Sequence, residues 1–287
     1  MKRILANLCV FLAGILHSHG QINQTVNYTH TVVYDYTLQP DTTDANFKVS
    51  ETMLLHIGKD YSNFLARNLH RKDSMMLLLK KEVEADPHGQ PQLPPPGARP
   101  ENAKVTIKVL KEYTSKKYYF SAIYGIQYAQ YVEAMPVINW QIFDEERKVA
   151  GYLCKKATTS FAGRDYVAWF TPEIEISDGP YKFTGLPGLI LSMYDTRNHH
   201  VFTAQAVFKE PKSVELEEKS GPLAHSFANR KEFILYTRAL KSDPAKMFEQ
   251  NLIKFPEDVV QRVVENAKVG VAKSNNPIEL QEYAINQ

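Results

Sequence analysis

Apolar and polar residues alternate through Thr25 to Tyr36: Val26, Tyr28, His30, Val32, Tyr34 and Tyr36 face one way, and Thr25, Asn27, Thr29, Thr31 and Asp35 the other. A period of two places every second side chain on one side of an extended backbone, so the pattern predicts a strand with one buried face, His30 included. The alternation recurs in Val105, Ile107 and Val109, in Tyr166, Ala168 and Phe170, and in Phe202, Ala204, Ala206 and Phe208. Further strands are expected over Ser50–Ile57, Tyr118–Tyr124, Asn139–Phe143, Ala150–Thr159 and Leu189–Tyr194. The short separations between many of them favour antiparallel pairing, because a parallel neighbour needs a long crossover.

Helical spacing is rarer. Met75, Met76, Leu79 and Val83 predict a helix over Asp73–Ala85, and Phe233, Tyr236 and Leu240 share a face of Arg230–Leu240. Asp243 and Pro244 make a cap and first turn for a helix through Leu252. Pro256 opens another, with Val259, Val260, Val263, Val264 and Ala267 on one side. The expected fold is mainly β within the α+β class: a curved antiparallel sheet or open barrel with a few packed helices, mostly C-terminal. Eight of the fifteen residues from Asp86 to Pro100 are proline or glycine, which cannot hold a ladder and reads as an exposed loop.

The start of the chain changes this picture. Lys2 and Arg3 precede an apolar run, Ile4–Leu16, followed by His17, Ser18, His19 and Gly20. That is the three-part pattern of an export signal, with the cut expected between Gly20 and Gln21 and the folded domain over residues 21–287. The run is shorter than the roughly 20 residues that cross a bilayer. No later stretch is longer, so no transmembrane helix is expected. Removal of Lys2 and Arg3 leaves 32 cationic and 32 acidic residues. A neutral chain lacks the basic footprint of a nucleic-acid binder, so no nucleic acid is expected as a partner. Cys9 leaves with the signal and Cys154 remains alone, which excludes an internal disulfide. Between Leu153 and Lys155 in an expected strand, Cys154 reads as a small buried hydrophobe.

The most distinctive stretch is Phe161–Tyr194, FAGRDYVAWFTPEIEISDGPYKFTGLPGLILSMY. A strand through Trp169 leads to a turn at Asp178, Gly179 and Pro180, then to a compact loop and another strand. Within Gly185-Leu186-Pro187-Gly188-Leu189-Ile190, residues Leu186 to Leu189 fit a type II turn: Pro187 presets the second position and Gly188 supplies the positive φ of the third. This hexapeptide is the signature of the GLPGLI family, which the chain resembles. Matching pieces extend over most of residues 21–287: the Tyr-rich first strand, Gly163-Arg164 with Trp169 and Phe170, Gly179-Pro180 with Phe183, and Asn276-Pro277-Ile278-Glu279. The segment Asp86–Pro100 departs from the pattern. The resemblance implies an exported Bacteroidetes protein of the periplasm or outer membrane. The family is uncharacterised, so it carries over no catalytic residue.

Candidate chemistry is sparse. Gly-x-Ser-x-Gly, Ser-x-x-Lys, a phosphate-binding Gly-rich loop and a dinucleotide fingerprint are all without a supporting context. The sequence therefore names no catalytic residue, cofactor or metal ligand. His199 and His200 are neighbours that a strand would point to opposite faces, and they read as the tip of a hairpin. Asp165 beside Arg164 reads as a surface ion pair or turn contact, and Asp178 as a turn residue. Glu173 and Glu175 are the other carboxylates near the aromatic segment. The leading expectation is a non-enzymatic envelope protein that binds an apolar ligand or an envelope protein on a concave face, with Trp169, Phe170, Tyr181 and Phe183 as the binding surface. The alternatives are a hydrolytic enzyme with a site around Asp165, Asp178 and the hexapeptide loop, and a periplasmic metal-handling protein.

Overall fold

The computed structural model describes residues 24–86, 92–216, 223–249, 254–272 and 274–280. The expected export signal and its cut lie outside these residues, as does 87–91 of the proline-rich loop. The strands are β1 (Gln24–Leu38), β2 (Val49–Gly58), β3 (Tyr61–Ala66), β4 (Lys108–Glu112), β5 (Lys117–Tyr124), β6 (Gln127–Ala134) and β7 (Gln141–Val149). They continue as β8 (Tyr152–Phe161), β9 (Arg164–Thr171), β10 (Leu189–Asp195), β11 (His200–Phe208), β12 (Lys212–Leu216) and β13 (Ala224–Phe227). One sheet runs in the order β13-β6-β5-β4-β3-β2-β1-β11-β10-β9-β8-β7 and does not close. β11 pairs with Thr31–Leu38 of β1, while β12 pairs with Gln24–Tyr28. The β13–β6 pair is parallel, which makes the sheet mixed. The expectation of a mainly β fold with a few helices is met.

β1 behaves as its pattern predicts, with Val26, Tyr28, Val32, Tyr34 and Tyr36 buried. His30 departs from it. A register shift between Tyr28 and His30 turns it half out of the core, where its Nδ1 lies 2.9 Å from Thr29 Oγ1. On β11 the buried face ends at Ala204, and Phe208 is exposed. β4 starts only at Lys108, although Val105 is already buried. β3, β6, β12 and β13 were not expected: β3 is a nearly continuous buried run without alternation, and the last two are short.

The helices are α1 (Arg67–Ala85), α2 (Arg230–Ser242), α3 (Lys246–Glu249) and α4 (Glu257–Ala272). α1 begins six residues before its expected start and buries Leu69 and Leu79, while Met76 and Val83 stay exposed. Asn229 caps α2 by accepting from the Glu232 amide, and Phe233, Ile234, Thr237 and Leu240 form its buried side. α3 is a single turn, and residues 250–253, where a longer helix was expected, lie outside the described set. No helix among the described residues is long and apolar enough to cross a membrane.

The connection from β9 to β10, residues 172–188, fills the inner face. It touches β4 through Lys111 and Asp178, β5 through Tyr118 and the Lys182 carbonyl, and β6 through Lys182 and Glu133. On its other side Phe183 packs edge-on against Phe161 of β8 and Tyr166 of β9. One segment can reach both ends of the sheet only because the sheet curls around it.

Candidate functional site

The hexapeptide turns its apolar side chains into the inner face and leaves Gly185 and Pro187 exposed. Leu186, Leu189 and Ile190 are each at most 1% exposed. Gly188 N–H donates to the Leu186 carbonyl at 2.9 Å, a three-residue turn centred on Pro187, in place of the expected four-residue type II turn. Gly188 has φ +152°, and a Cβ there would lie 2.2 Å from the Thr171 carbonyl oxygen. The glycine thus lets two backbones touch where β10 begins. At Gly179 the absent side chain makes room for that of Ile190, since a Cβ there would lie 2.7 Å from the Ile190 Cβ. Tyr181 holds a positive φ of 55° and is buried. Such a conformation is costly for an aromatic residue and persists only where its surroundings fix it.

The two buried charges of the plug formed by residues 172–188, Asp178 and Lys182, are both paired. Lys111 of β4 and Asp178 form an ion pair with both side chains 0% exposed. Lys111 also donates to the Gly179 carbonyl at 2.6 Å, and Tyr113 donates to the second Asp178 oxygen at 2.6 Å. Burial pulls the Lys111 pKa down, and the Asp178 carboxylate works against that pull. Lys182 sits between Glu133 at 2.6 Å and Glu279 at 2.8 Å. Burial would lower its pKa, but the charges of Glu279, Tyr131 and Glu133 outweigh burial and raise it. Tyr181 donates to Glu279 at 2.5 Å, and Arg230 of α2 completes the cluster.

The segment Asn276–Glu279 lies against the same face. Arg164 pairs with Asp195 at 3.0 Å and donates to the Pro277 carbonyl at 2.6 Å and to the Asn276 side chain. Tyr166 donates to the Ile278 carbonyl at 2.7 Å, and Asn276 donates to the Gln39 carbonyl at 2.8 Å. His200 Nε2 faces the Asn276 carbonyl at 3.1 Å, so it carries the proton and Nδ1 accepts from Tyr36 at 2.8 Å. Burial and the nearby Arg164 charge lower the His200 pKa to about 3. The dispersed pieces Gly163-Arg164, Gly179-Pro180 with Phe183, and Asn276 to Glu279 thus meet in one buried latch.

These positions correct several sequence readings. Arg164 turns inward to Asp195 rather than pairing with Asp165, which is exposed and accepts from Ser160 at 2.5 Å. His199 and His200 do split across the backbone, but His200 is buried and the hairpin turns at Asn198 with φ 55°. Trp169, Phe170, Tyr181 and Phe183 present no binding surface, since all four are buried, at 7%, 2%, 1% and 0% exposure. The concave face expected to bind a ligand is occupied by residues 172–188. Asp178 faces a lysine in a closed interior and Asp165 faces outward, so the two carboxylates share no cleft. Glu173 accepts from the Leu153 amide at 2.9 Å, and Glu175 is exposed. Cys154 is buried, and burial raises its pKa to about 11. Among the described residues no group of three or more His, Cys, Asp or Glu could hold a metal ion.

A concavity does open on the reverse face of β10 and β11, opposite Met193 and Phe202. Register places Thr203, Ser192 and Trp169 side by side there. β7 is three strands from β10 in the sheet, yet Arg147 Nη2 donates to Ser192 Oγ at 2.7 Å and its guanidinium lies 4.2 Å from the Trp169 ring centre. The β7–β8 hairpin therefore leans across this face, bent by the irregularity between Ile142 and Glu146. Between hairpin and sheet lies an open pocket of about 530 Å³ lined by Arg147, Lys148, Val149, Ala150, Ser192, Tyr194, Val201, Thr203, Ala204 and Gln205. Two cations and no carboxylate line it. Arg147 Nε and Trp169 Nε1 are buried without a hydrogen-bond partner. No pattern in the sequence marks Arg147, because the strand that carries it is mostly exposed.

A family described as a protein of unknown function (Porph_ging) matches residues 162–192, which include Arg164, Trp169, Asp178 and the whole hexapeptide. The match is to a Bacteroidetes-linked family of unknown function. No curated protein matches the chain. Two solved structures of PNGF-II are similar to it at 14% identity: one in space group P21 with a TM-score of 0.44 over 74% of this chain, one in C2 with 0.45 over 75%. The chain spans about a third of the length of those proteins, 32% and 33%.

Proposed function

We propose that this chain is an exported envelope protein of the GLPGLI family, that it binds a ligand rather than transforming one, and that the ligand enters the reverse-face pocket instead of the concave face. The reading rests on one observation: the motif residues satisfy one another inside the sheet, while the cationic Arg147 faces an open pocket with no acidic partner among the described residues. The family signature then serves the fold, and binding belongs to the other side. Export is supported by the Lys2-Arg3 and Ile4–Leu16 pattern.

A thermal-denaturation screen of small organic anions, cations and neutral compounds tests the binding site. At least one class should raise the melting temperature, and Thr203→Trp, which fills the pocket from the exposed side, should abolish the rise. Stabilisation that survives in Thr203→Trp would place binding elsewhere. For export, protein recovered from the envelope of a Bacteroidetes host should begin at Gln21; retention in the cytoplasm with residues 1–20 intact would refute it.

A further inference from the structure

We infer that the reverse-face pocket is a site for a small organic carboxylate, with Arg147 binding the carboxylate and the apolar floor taking the rest of the ligand. The assignment deepens the reverse-face reading of the function and depends on it.

Charge sets the sign of the ligand. An arginine partly withdrawn from water normally finds a carboxylate, because an unpaired charge of low exposure is costly. Arg147 instead has a serine hydroxyl and an indole face. Its guanidinium is held flat by Trp169 and fixed in rotation by Ser192, which is 2% exposed. That arrangement presents donors in a fixed plane before any ligand arrives, and a guanidinium fork matches the two coplanar oxygens of a carboxylate.

Ligand size and kind follow from the remaining walls. About 530 Å³ is within the range of small-molecule sites. Val149 and Val201 supply apolar surface, and Thr203 adds a hydroxyl. A phosphate dianion would call for a denser set of fixed donors than one oriented guanidinium, the exposed Lys148 and scattered hydroxyls. A monoanion with a hydrocarbon body balances one oriented cation over an apolar floor.

The test is titration of isotope-labelled protein with hexanoate, hexanamide and inorganic phosphate, followed by nuclear magnetic resonance. Hexanoate should saturably shift the Arg147 Nε–H and Trp169 indole N–H signals, and hexanamide should leave them unmoved. Arg147→Gln should weaken hexanoate binding about tenfold to a hundredfold, the usual worth of a hydrogen bond to a charged group. Arg147→Lys keeps the charge without the fork and should fall between, which separates loss of the ligand contact from loss of the fold. Equal shifts with hexanamide, or with phosphate alone, overturn the carboxylate assignment and leave the reverse-face reading standing. Shifts confined to the concave-face residues with any of the three overturn both.

Discussion

Lys111 shows what a single residue can reveal. It continues the period-two face of Val105, Ile107 and Val109, so the alternation itself puts a lysine in the interior, and a buried lysine needs a carboxylate. The partner, Asp178, is 67 residues away in sequence, and nothing local names it. Removing one member of this enclosed pair strands the other. Lys111→Met should therefore cost about 3–5 kcal/mol of unfolding free energy, and the double replacement Lys111→Met with Asp178→Leu markedly less than the sum of the singles. Urea denaturation of the three variants measures this, and additive costs would disprove the coupling. Gly188→Ala forces a side chain against the Thr171 backbone and should be among the most damaging single changes in the chain. Soluble expression and melting temperature report on that.

At the level of elements, the latch depends on β9, β10 and the Asn276–Glu279 segment presenting groups in register. Arg164 keeps its Asp195 ion pair if replaced by lysine, but loses the planar fork that also reaches Pro277 and Asn276. Arg164→Lys should thus lower stability by about 2 kcal/mol and speed hydrogen exchange around residues 276–279 more than in β1. Equal acceleration across the sheet would argue against a discrete latch. The strands with clear alternation were legible from sequence to within a few residues. β3 was missed because a strand buried on both faces does not alternate. α1 was placed by a stripe that proved half exposed, since the side facing β2 and β3 is set by Leu69 and Leu79.

For the molecule as a whole, the plug ties β4–β6 to β8–β10 through a shared interior. Far-ultraviolet circular dichroism and tryptophan fluorescence, with Trp140 packed against Phe183 of the plug and Trp169 on the reverse face, should accordingly report one coincident unfolding transition. Separate midpoints would mean that the two halves of the sheet fold independently. Acid should weaken the molecule in a defined window. Burial, with His70 and Lys212 nearby, lowers the His56 pKa to about 3, as burial and Arg164 do for His200. An unfolded chain binds protons at these histidines from about pH 6.5 downward while the folded chain does not until about pH 3. Their stabilisation is complete above that upper limit and is lost as pH falls, by up to about 1.4 kcal/mol per pH unit for each histidine. Glu279, held below the usual carboxylate range against the effect of burial by Lys182 and Arg230, adds a further loss below about pH 4.5. Denaturation curves collected from pH 8 to 4 should show the decline, and it should be shallower in His200→Gln. By itself the sequence determined the β class, most strand positions and the turn-rich motif, because side-chain period and turn chemistry are local properties. Only the tertiary structure decided that the motif fills the concave face and that Arg147 meets Ser192 and Trp169 on the other, because both outcomes depend on how far the sheet curls and how its last hairpin leans, and those arise from contacts between residues far apart in the chain.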